Sequence, residues 1–392
     1  MLAAMIAPDL DLAADPAELT ADLIDLESVS GGEGPIADAV EAALRRLPHL
    51  TVHRDGDAVL ARTELGRDER VVLAGHLDTV PLPTVPGARG TVPSSWEEAD
   101  GHRVLYGRGA TDMKGGVAVQ LALAAALTEP NRDVSYVFYD HEEVDAAASG
   151  LGRLQRNAPE LLEADFAVLL EPTDGTVDGG CNGTMRFRIT TTGRAAHSGR
   201  SWIGENAIHK QADVLARLAA YTPRTITVEG LDYREGLNAT GIGGGVAGNV
   251  VPDTAHVEIN YRFAPDKTPE QAVAHVREVF AGYELEFTDL SAAARPGLDR
   301  PAAAAFVAAV GQEPKPKYGW TDVARFSAMG VPAVNFGPGD ALLAHTDDEH
   351  VSAEAVRECY RALGRLGGAS RAVAEEPGEP RRQQRQQVVD QH

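Results

Sequence analysis

Tyr106-Gly-Arg-Gly-Ala-Thr-Asp-Met-Lys-Gly-Gly-Val117 runs a glycine-rich turn straight into an apolar stretch, residues 117–127, whose composition predicts a buried helix. Glycine permits close backbone approach and dihedrals that other residues resist. The turn delivers one carboxylate, Asp112, to the mouth of that helix, where the helix dipole favours negative charge. Such a carboxylate stays ionised and can face a cation. Glycine-rich turns before helices are common, so the stretch gains its meaning from what the chain sets around it.

Upstream, residues 71–74 form a short β-branched run followed at once by Gly75-His76-Leu77-Asp78. Downstream, residues 134–139 lead into Asp140-His141-Glu142-Glu143, residues 166–170 into Glu171-Pro172, and residues 334–336 into a Gly/Pro loop that reaches His345. Helical patterns, among them 117–127 and 150–155, lie between these runs. Buried strands alternating with helices predict an α/β fold, a largely parallel catalytic sheet flanked by helices. In such sheets ligands gather beyond the carboxyl ends of the strands. Four runs each release a histidine or an acid just past that end, which argues for a single site.

Residues 183–290 read differently. Residues 186–192 alternate like a strand and 206–218 repeat like a helix; 225–229 and 256–263 are strand-like, the latter alternating Val257, Ile259, Tyr261 and Phe263. Thr268-Pro269-Glu270-Gln271 combines an N-cap residue, a first-turn proline and a capping-box glutamine, so a helix follows. Residues 283–288 complete the order βαββαβ of a ferredoxin-like unit. The expected layout is a catalytic domain in two parts, 1–182 and 291–368, interrupted by a lid or dimerisation domain at 183–290. Residues 369–392 are polar and repetitive and are expected to form a disordered tail.

The 392 residues suit two domains, and 43% hydrophobic against 24% charged residues suits a packed core. A formal net charge of -22 disfavours nucleic acid and anionic membranes as partners, since both select basic surfaces. A small anionic substrate then needs arginines gathered locally. Two cysteines, Cys181 and Cys359, are too few for a disulfide framework or a thiolate metal site, which fits a reducing cytoplasm. The first twelve residues have no basic leader segment and are interrupted by Pro8, Asp9 and Asp11. No run reaches the length of a membrane span. The chain reads as a soluble cytoplasmic protein.

His76, Asp112, Glu143, Glu171 and His345 form the candidate ligand set. Imidazole with carboxylate suits zinc and, less selectively, manganese or cobalt. Two histidines and three acids divide into one histidine and one glutamate per ion with Asp112 bridging, the donor count of a two-metal hydrolytic centre. Spacing leaves open which glutamate joins which histidine. Asp78, two residues beyond His76, is expected to orient that ring through its non-ligating nitrogen. Past a strand end the side chains of Glu142 and Glu143 diverge, so Glu143 is read as ligand and Glu142 as general base. Taken singly these are ordinary residues, His76 a packed histidine and Glu142-Glu143 a solvated acidic turn. His141 reads as a packed neighbour, His209 and His350 as helix or surface residues. The shared position at strand ends sets the five apart.

Gly75-His-Leu-Asp-Thr-Val-Pro81, with Gly107-Arg-Gly-Ala-Thr-Asp-Met-Lys-Gly-Gly116, Glu142-Glu143, Glu171-Pro172 and His345, resembles the dinuclear zinc aminoacylase, carboxypeptidase and desuccinylase family of amidohydrolases over residues 17–366. The resemblance implies two Zn2+ per subunit, a lid inserted in the catalytic domain, a homodimer through that lid and a cis peptide after Asp112. It also implies that His197, in Gly193-Arg-Ala-Ala-His-Ser198, assists the tetrahedral intermediate, commonly from the other subunit.

Leu231-Asp-Tyr-Arg-Glu-Gly-Leu-Asn238, Gly248-Asn-Val-Val-Pro252, Tyr261-Arg-Phe-Ala-Pro265 and Tyr318-Gly-Trp-Thr-Asp-Val-Ala-Arg-Phe-Ser327 resemble the Gram-positive desuccinylase branch of that family. This likeness implies hydrolysis of N-succinyl-LL-2,6-diaminopimelate to succinate and LL-2,6-diaminopimelate, a step of lysine and diaminopimelate biosynthesis. Substrate positions carried over are Asn249 and Arg262, with Gly319, Trp320 and Thr321 as a substrate loop. Where proteobacterial members have a paired arginine before the first lid strand, this chain has Cys181-Asn182. Another cation, Arg200 or Arg186, is then expected at the succinyl carboxylate. The alternative is a sister activity, acetylornithine deacetylase or a general N-acyl-amino-acid hydrolase or exopeptidase, with the same metals and a different acyl pocket.

Overall fold

The computed structural model describes residues 9–99 and 101–366; the tail expected at 369–392 lies outside them. The chain divides into two compact units, one holding the described residues up to Thr176 and from Phe336 onward, the other Val177–Asn335.

In the first unit the run at 71–74 belongs to the strand Arg70–His76, and its neighbours are Asp133–Tyr139 and Phe166–Leu169. Arg70–His76 lies between them and pairs with both in parallel, Leu73 facing Tyr136 on one side and Val168 on the other. The two outer strands are buried along their length, as parallel strands covered on both faces must be. The antiparallel hairpin Thr51–Asp55 with Ala58–Arg62 extends the sheet beyond Asp133–Tyr139. The α/β class read from the sequence is the one the chain adopts, with a parallel centre and an antiparallel margin.

The apolar stretch after Asp112 is the helix Gly115–Ala126, buried continuously from Gly115 to Ala124. It packs against strand Arg70–His76 and against the helices Pro16–Ile24 and Ala353–Leu366. Neighbours on several sides explain why it is apolar all round instead of striped. At Gly116 a Cβ would overlap the carbonyl of Leu170, so glycine lets the helix begin against the exit of strand Phe166–Leu169. A smaller antiparallel sheet, Ser95–Ala99, His102–Tyr106 and His350–Ser352, sets His350 opposite Tyr106 and so ties the glycine-rich turn to the chain beyond His345.

In the second unit the strands Gly183–Thr192, Gly236–Gly244, Thr254–Phe263 and Glu286–Ser291 form an antiparallel sheet. Thr254–Phe263 and Gly183–Thr192 are its centre, Gly236–Gly244 and Glu286–Ser291 its edges. The helices Ala207–Ala220 and Pro269–Val279 complete the order βαββαβ of a ferredoxin-like unit. Met185, Phe187, Ile189, Val257, Ile259 and Tyr261 share a core with Val214 and Val276 from the helices. Thr268 and Gln271 form the expected capping box.

Two details differ from the sequence reading. Thr225–Val228 is not a strand of this sheet; it pairs with Leu231–Arg234 in a separate hairpin. The second sheet strand is Gly236–Gly244, with four glycines in nine residues, a composition that carries little strand preference of its own. The compact unit is also wider than 183–290. Cys181 bridges to Ala294, Trp320 Nε1 donates to the Ala292 carbonyl at 3.1 Å and Gly297 N to the Glu229 carboxylate at 2.8 Å. No helix among the described residues is long and apolar enough to cross a membrane.

Candidate metal centre

His76 ends the strand Arg70–His76 and is buried. Its Nδ1 lies 2.9 Å from the main-chain carbonyl oxygen of Asp78. A carbonyl only accepts, so Nδ1 carries the proton and Nε2 is left to face Asp112 Oδ1, 3.1 Å away. The Asp78 carboxylate stands farther from Nδ1 than its own main-chain carbonyl does, at 3.5 Å, and has further partners. It accepts the backbone N–H groups of Glu142 and Glu143, each at 3.0 Å, and the Ser30 hydroxyl at 2.7 Å. The main chain of Asp78 orients the ring, and its side chain fixes the turn that carries both glutamates. The parallel pairing explains this, because Leu77 N donates to the Tyr139 carbonyl and brings the two strand exits side by side.

Gly109, at φ 83°, opens the turn, and the peptide between Asp112 and Met113 is cis. Thr111 N and Asp112 N donate to Glu349 Oε1 at 3.1 and 3.0 Å. Asp112 then presents Oδ1 to His76 and Oδ2 to His345 Nε2, 3.3 Å away. His345 Nε2 is 2.9 Å from Glu143 Oε1. Glu171, just past strand Phe166–Leu169, is buried. Side-chain donor atoms of His76, Asp112 and Glu171 lie within 4.8 Å of one another, and so do those of Asp112, Glu143 and His345. Glu171 thus groups with His76 and Glu143 with His345, while Asp112 belongs to both. A third grouping holds Glu142 within the same reach of His76 and Glu143.

The cluster is rich in negative charge. Hydrogen bonds to Asp112 and Glu143 push His345 up to about 10. At His76 burial opposes the cation, yet Asp112 and Asp78 hold the ring well above the usual imidazole range. At Asp112 burial opposes the anion, but His345 and His76 hold the carboxyl well below its usual range. Asp78, likewise opposed by burial and supported by His76 and Ser30, falls to about 2. Rings that recruit protons this strongly sit in a field that divalent cations would answer instead. Imidazole nitrogen with carboxylate oxygen, and neither cysteine in either grouping, fits such cations.

The other sequence candidates lie in the second unit. His197 is exposed, pairs with Val250, and accepts at Nδ1 from Gly199 N at 3.0 Å. Ser198 N donates to the Asn249 carbonyl at 2.8 Å, so His197 and Asn249 sit on adjoining segments, with Arg200 exposed in the turn Ser198–Ile203. Arg262 stands apart on strand Thr254–Phe263, its Nε donating to Asn260 Oδ1 at 3.2 Å; burial and the nearby Arg186 pull its pKa down. Arg186 is the cross-strand partner of Asn260 and therefore shares a sheet face with Arg262. Gly319 is exposed, Trp320 is tied to Ala292, and Thr321 is buried with its hydroxyl 3.0 Å from Asn335 Oδ1. Cys181 and Asn182 are both buried, and Asn182 Nδ2 donates to the Arg234 carbonyl at 2.9 Å.

Sequence reasoning passed over three buried charges that hold the loops. Glu33 accepts from Gly31 N at 2.8 Å and from His141 N at 3.2 Å. Arg108 NH1 donates to Glu349 Oε2 at 2.8 Å. Their only signals were an arginine between two glycines and acids in polar turns, patterns that ordinarily mark solvated charge.

The profile of peptidase family M20/M25/M40 matches residues 72–367, a span that takes in all five candidate ligands. A Mycobacterium tuberculosis (strain H37Rv) protein, provisionally named succinyl-diaminopimelate desuccinylase, is 54% identical over 92% of this chain and 100% of its own length. Succinyl-diaminopimelate desuccinylase of Corynebacterium glutamicum is 43% identical over 91% of this chain and 97% of its own. The YXEP protein of Bacillus subtilis, described as a dinuclear metal-binding peptidase, superposes with a TM-score of 0.66 at 18% identity, covering 91% of this chain and 97% of that one. That likeness speaks to the fold alone. By the span of the profile and the two identities, the chain belongs to peptidase family M20/M25/M40.

Proposed function

We propose that the chain is a metal-dependent amidohydrolase that cleaves N-succinyl-LL-2,6-diaminopimelate to succinate and LL-2,6-diaminopimelate, in lysine and diaminopimelate biosynthesis. One observation carries the chemistry: two ligand groupings that share Asp112. The substrate rests on the desuccinylases that this chain resembles at 54% and 43% identity. His76, Asp112 and Glu171 would hold one cation, and Asp112, Glu143 and His345 the other. Zinc is the first choice, with cobalt or manganese as substitutes. Such a pair supplies polarisation of the scissile carbonyl and a water acidic enough to attack it.

The chain's own residues supply the rest. Glu142, its backbone N–H held by Asp78, takes the proton of the attacking water and returns it to the leaving amine as the C–N bond breaks. His197 donates to the carbonyl oxygen as negative charge develops there, in a homodimer joined through the second unit. Arg262, with Arg200 or Arg186, meets the substrate carboxylates, and Asn249, Gly319, Trp320 and Thr321 complete the substrate surface. The partner is a small anion in the cytoplasm, which a chain of net charge -22 can hold only where arginines gather locally.

One observation favours a second reading. With Cys181-Asn182 buried, the acyl end lacks the cation found in proteobacterial enzymes, and a neutral acetyl group needs none. Purified protein supplied with zinc separates the two. Turnover of succinyl-diaminopimelate with little acetylornithine hydrolysis is expected; the reverse preference would make this chain a deacetylase.

A further inference from the structure

Glu349 and Arg108 belong to neither ligand grouping, yet they are only 1% and 3% exposed. They lie 241 residues apart in sequence and meet because His350 pairs with Tyr106 across the small antiparallel sheet. Arg108 NH1 donates to Glu349 Oε2 at 2.8 Å and to the Thr346 carbonyl at 3.2 Å. Glu349 Oε1 is left to accept Thr111 N and Asp112 N. The main chain is pinned as well: Gly107 N donates to the Glu349 carbonyl at 3.1 Å, and Gly90 N to the Asp347 carbonyl at 2.7 Å. A buried ion pair is a weak source of net stability, because desolvation offsets its attraction. Holding the fold together is therefore a poor account of this one.

We infer that Glu349 is a positioning residue, one carboxylate that locks the Asp112 peptide to the turn carrying His345 and so sets the separation of these two ligands. The inference rests on the metal reading above. His345 precedes Glu349 by four residues and is held at φ 63°; Asp112 is clamped through its own N–H. Two of the three donors of the Asp112, Glu143 and His345 grouping thus depend on Glu349. Only one donor of the His76, Asp112 and Glu171 grouping does. Arg108 fixes the rotation of the carboxylate by occupying Oε2. Loosening Glu349 must then weaken one cation site more than the other.

Cobalt(II) titration of the metal-free full chain, followed by visible absorption and calorimetry, tests this with Glu349→Gln. Glutamine keeps an oxygen for the two amides but sets an NH2 group against the Arg108 guanidinium. Wild type is expected to take up two cobalt ions. The variant should hold one almost as tightly and the other about 10–100-fold more weakly. Its kcat for succinyl-diaminopimelate should fall while KM moves by less than about twofold. A folded variant with wild-type affinity for both ions and only a lowered Tm overturns the inference. Wild type that takes up no cobalt overturns the metal reading along with it, so the two failures are distinct. If Glu349→Gln does not fold, Arg108→Lys carries the same test, with the same site weakened as the expected result and unchanged binding as the refuting one.

Discussion

In the second unit the buried carboxylate of Glu235 meets cations that the chain supplies, Lys267 at 2.7 Å and Arg224 at 2.9 Å, besides Ala264 N at 3.1 Å. In the first unit Asp78, Asp112, Glu143 and Glu171 collect at the strand ends around two imidazoles, and the nearby cations are committed elsewhere. Arg108 serves Glu349, and Lys114, pulled down to about 7 by burial, donates to the Leu26 carbonyl at 2.8 Å. At Glu235 the chain supplies its own counter-ions, whereas the strand-end acids of the first unit gather around two imidazoles in groupings that fit added cations. Buried acid whose nearest cationic partners are titrating imidazoles is the stronger pointer to a functional site.

The sharpest test of that contrast lies within the acidic cluster itself. Glu142→Ala is expected to lower kcat about 10²–10⁴-fold, the range for loss of a general base, and to leave the metal content of the purified protein unchanged. Steady-state hydrolysis with metal analysis of the same sample measures both. If the variant also loses a cation, Glu142 is a ligand and the division of roles with Glu143 is wrong.

Removing the metals is next in size. Free cation at 1,000 times its dissociation constant stabilises the state that binds it by about 4 kcal/mol. Chelation should therefore speed hydrogen exchange at the amides of Thr111, Asp112, Glu142 and Glu143, and leave those of Gly183–Thr192 and Thr254–Phe263 near their starting rates. The pH dependence has a definite sign. In the metal-free protein His345, raised to about 10, holds a proton through the neutral range, and a cation must displace it. Cation uptake then releases protons, and apparent affinity climbs with pH until about 10, by up to about tenfold per unit for each proton displaced. Calorimetry in buffers of different ionisation enthalpy counts those protons.

Much of this contrast was legible in the sequence. Strand ends mark themselves by β-branched runs that stop at a charged residue, so His76, Glu143 and Glu171 could be read locally. The Thr268-Gln271 capping box is local as well, and it formed. What resisted reading depends on partners distant in sequence. Gly236–Gly244 is a strand because Thr254–Phe263 pairs with it, not because glycine prefers one. Asp78 turned out to serve a neighbouring strand's loop, since only the parallel register brings Glu142 N and Glu143 N to its carboxylate. Glu349 became visible only once His350 was seen opposite Tyr106. The second unit reached past 290 because residues 292, 294 and 297 bond back into it.

Glu235 gives the smallest effect and the one that tests the acid whose counter-ions the chain supplies. Burial alone would raise its carboxyl, but Arg224, Lys267 and Ala264 N outweigh it and bring it from 4.5 down to about 2. A depressed carboxylate contributes its full stabilisation above the unfolded value, near 4.5, and loses it as pH falls through about 2. A shift of that size corresponds to roughly 3 kcal/mol. Glu235→Gln should therefore unfold at a lower temperature than wild type above pH 5, with the gap closing as pH drops toward 2. Hydrogen exchange in the second unit, or a thermal scan at each pH, follows it. A gap that stays constant across this range would mean that Glu235 acts by packing and neutral hydrogen bonds. Glu235 would then lack the ionic balance that sets it apart from the strand-end acids of the first unit.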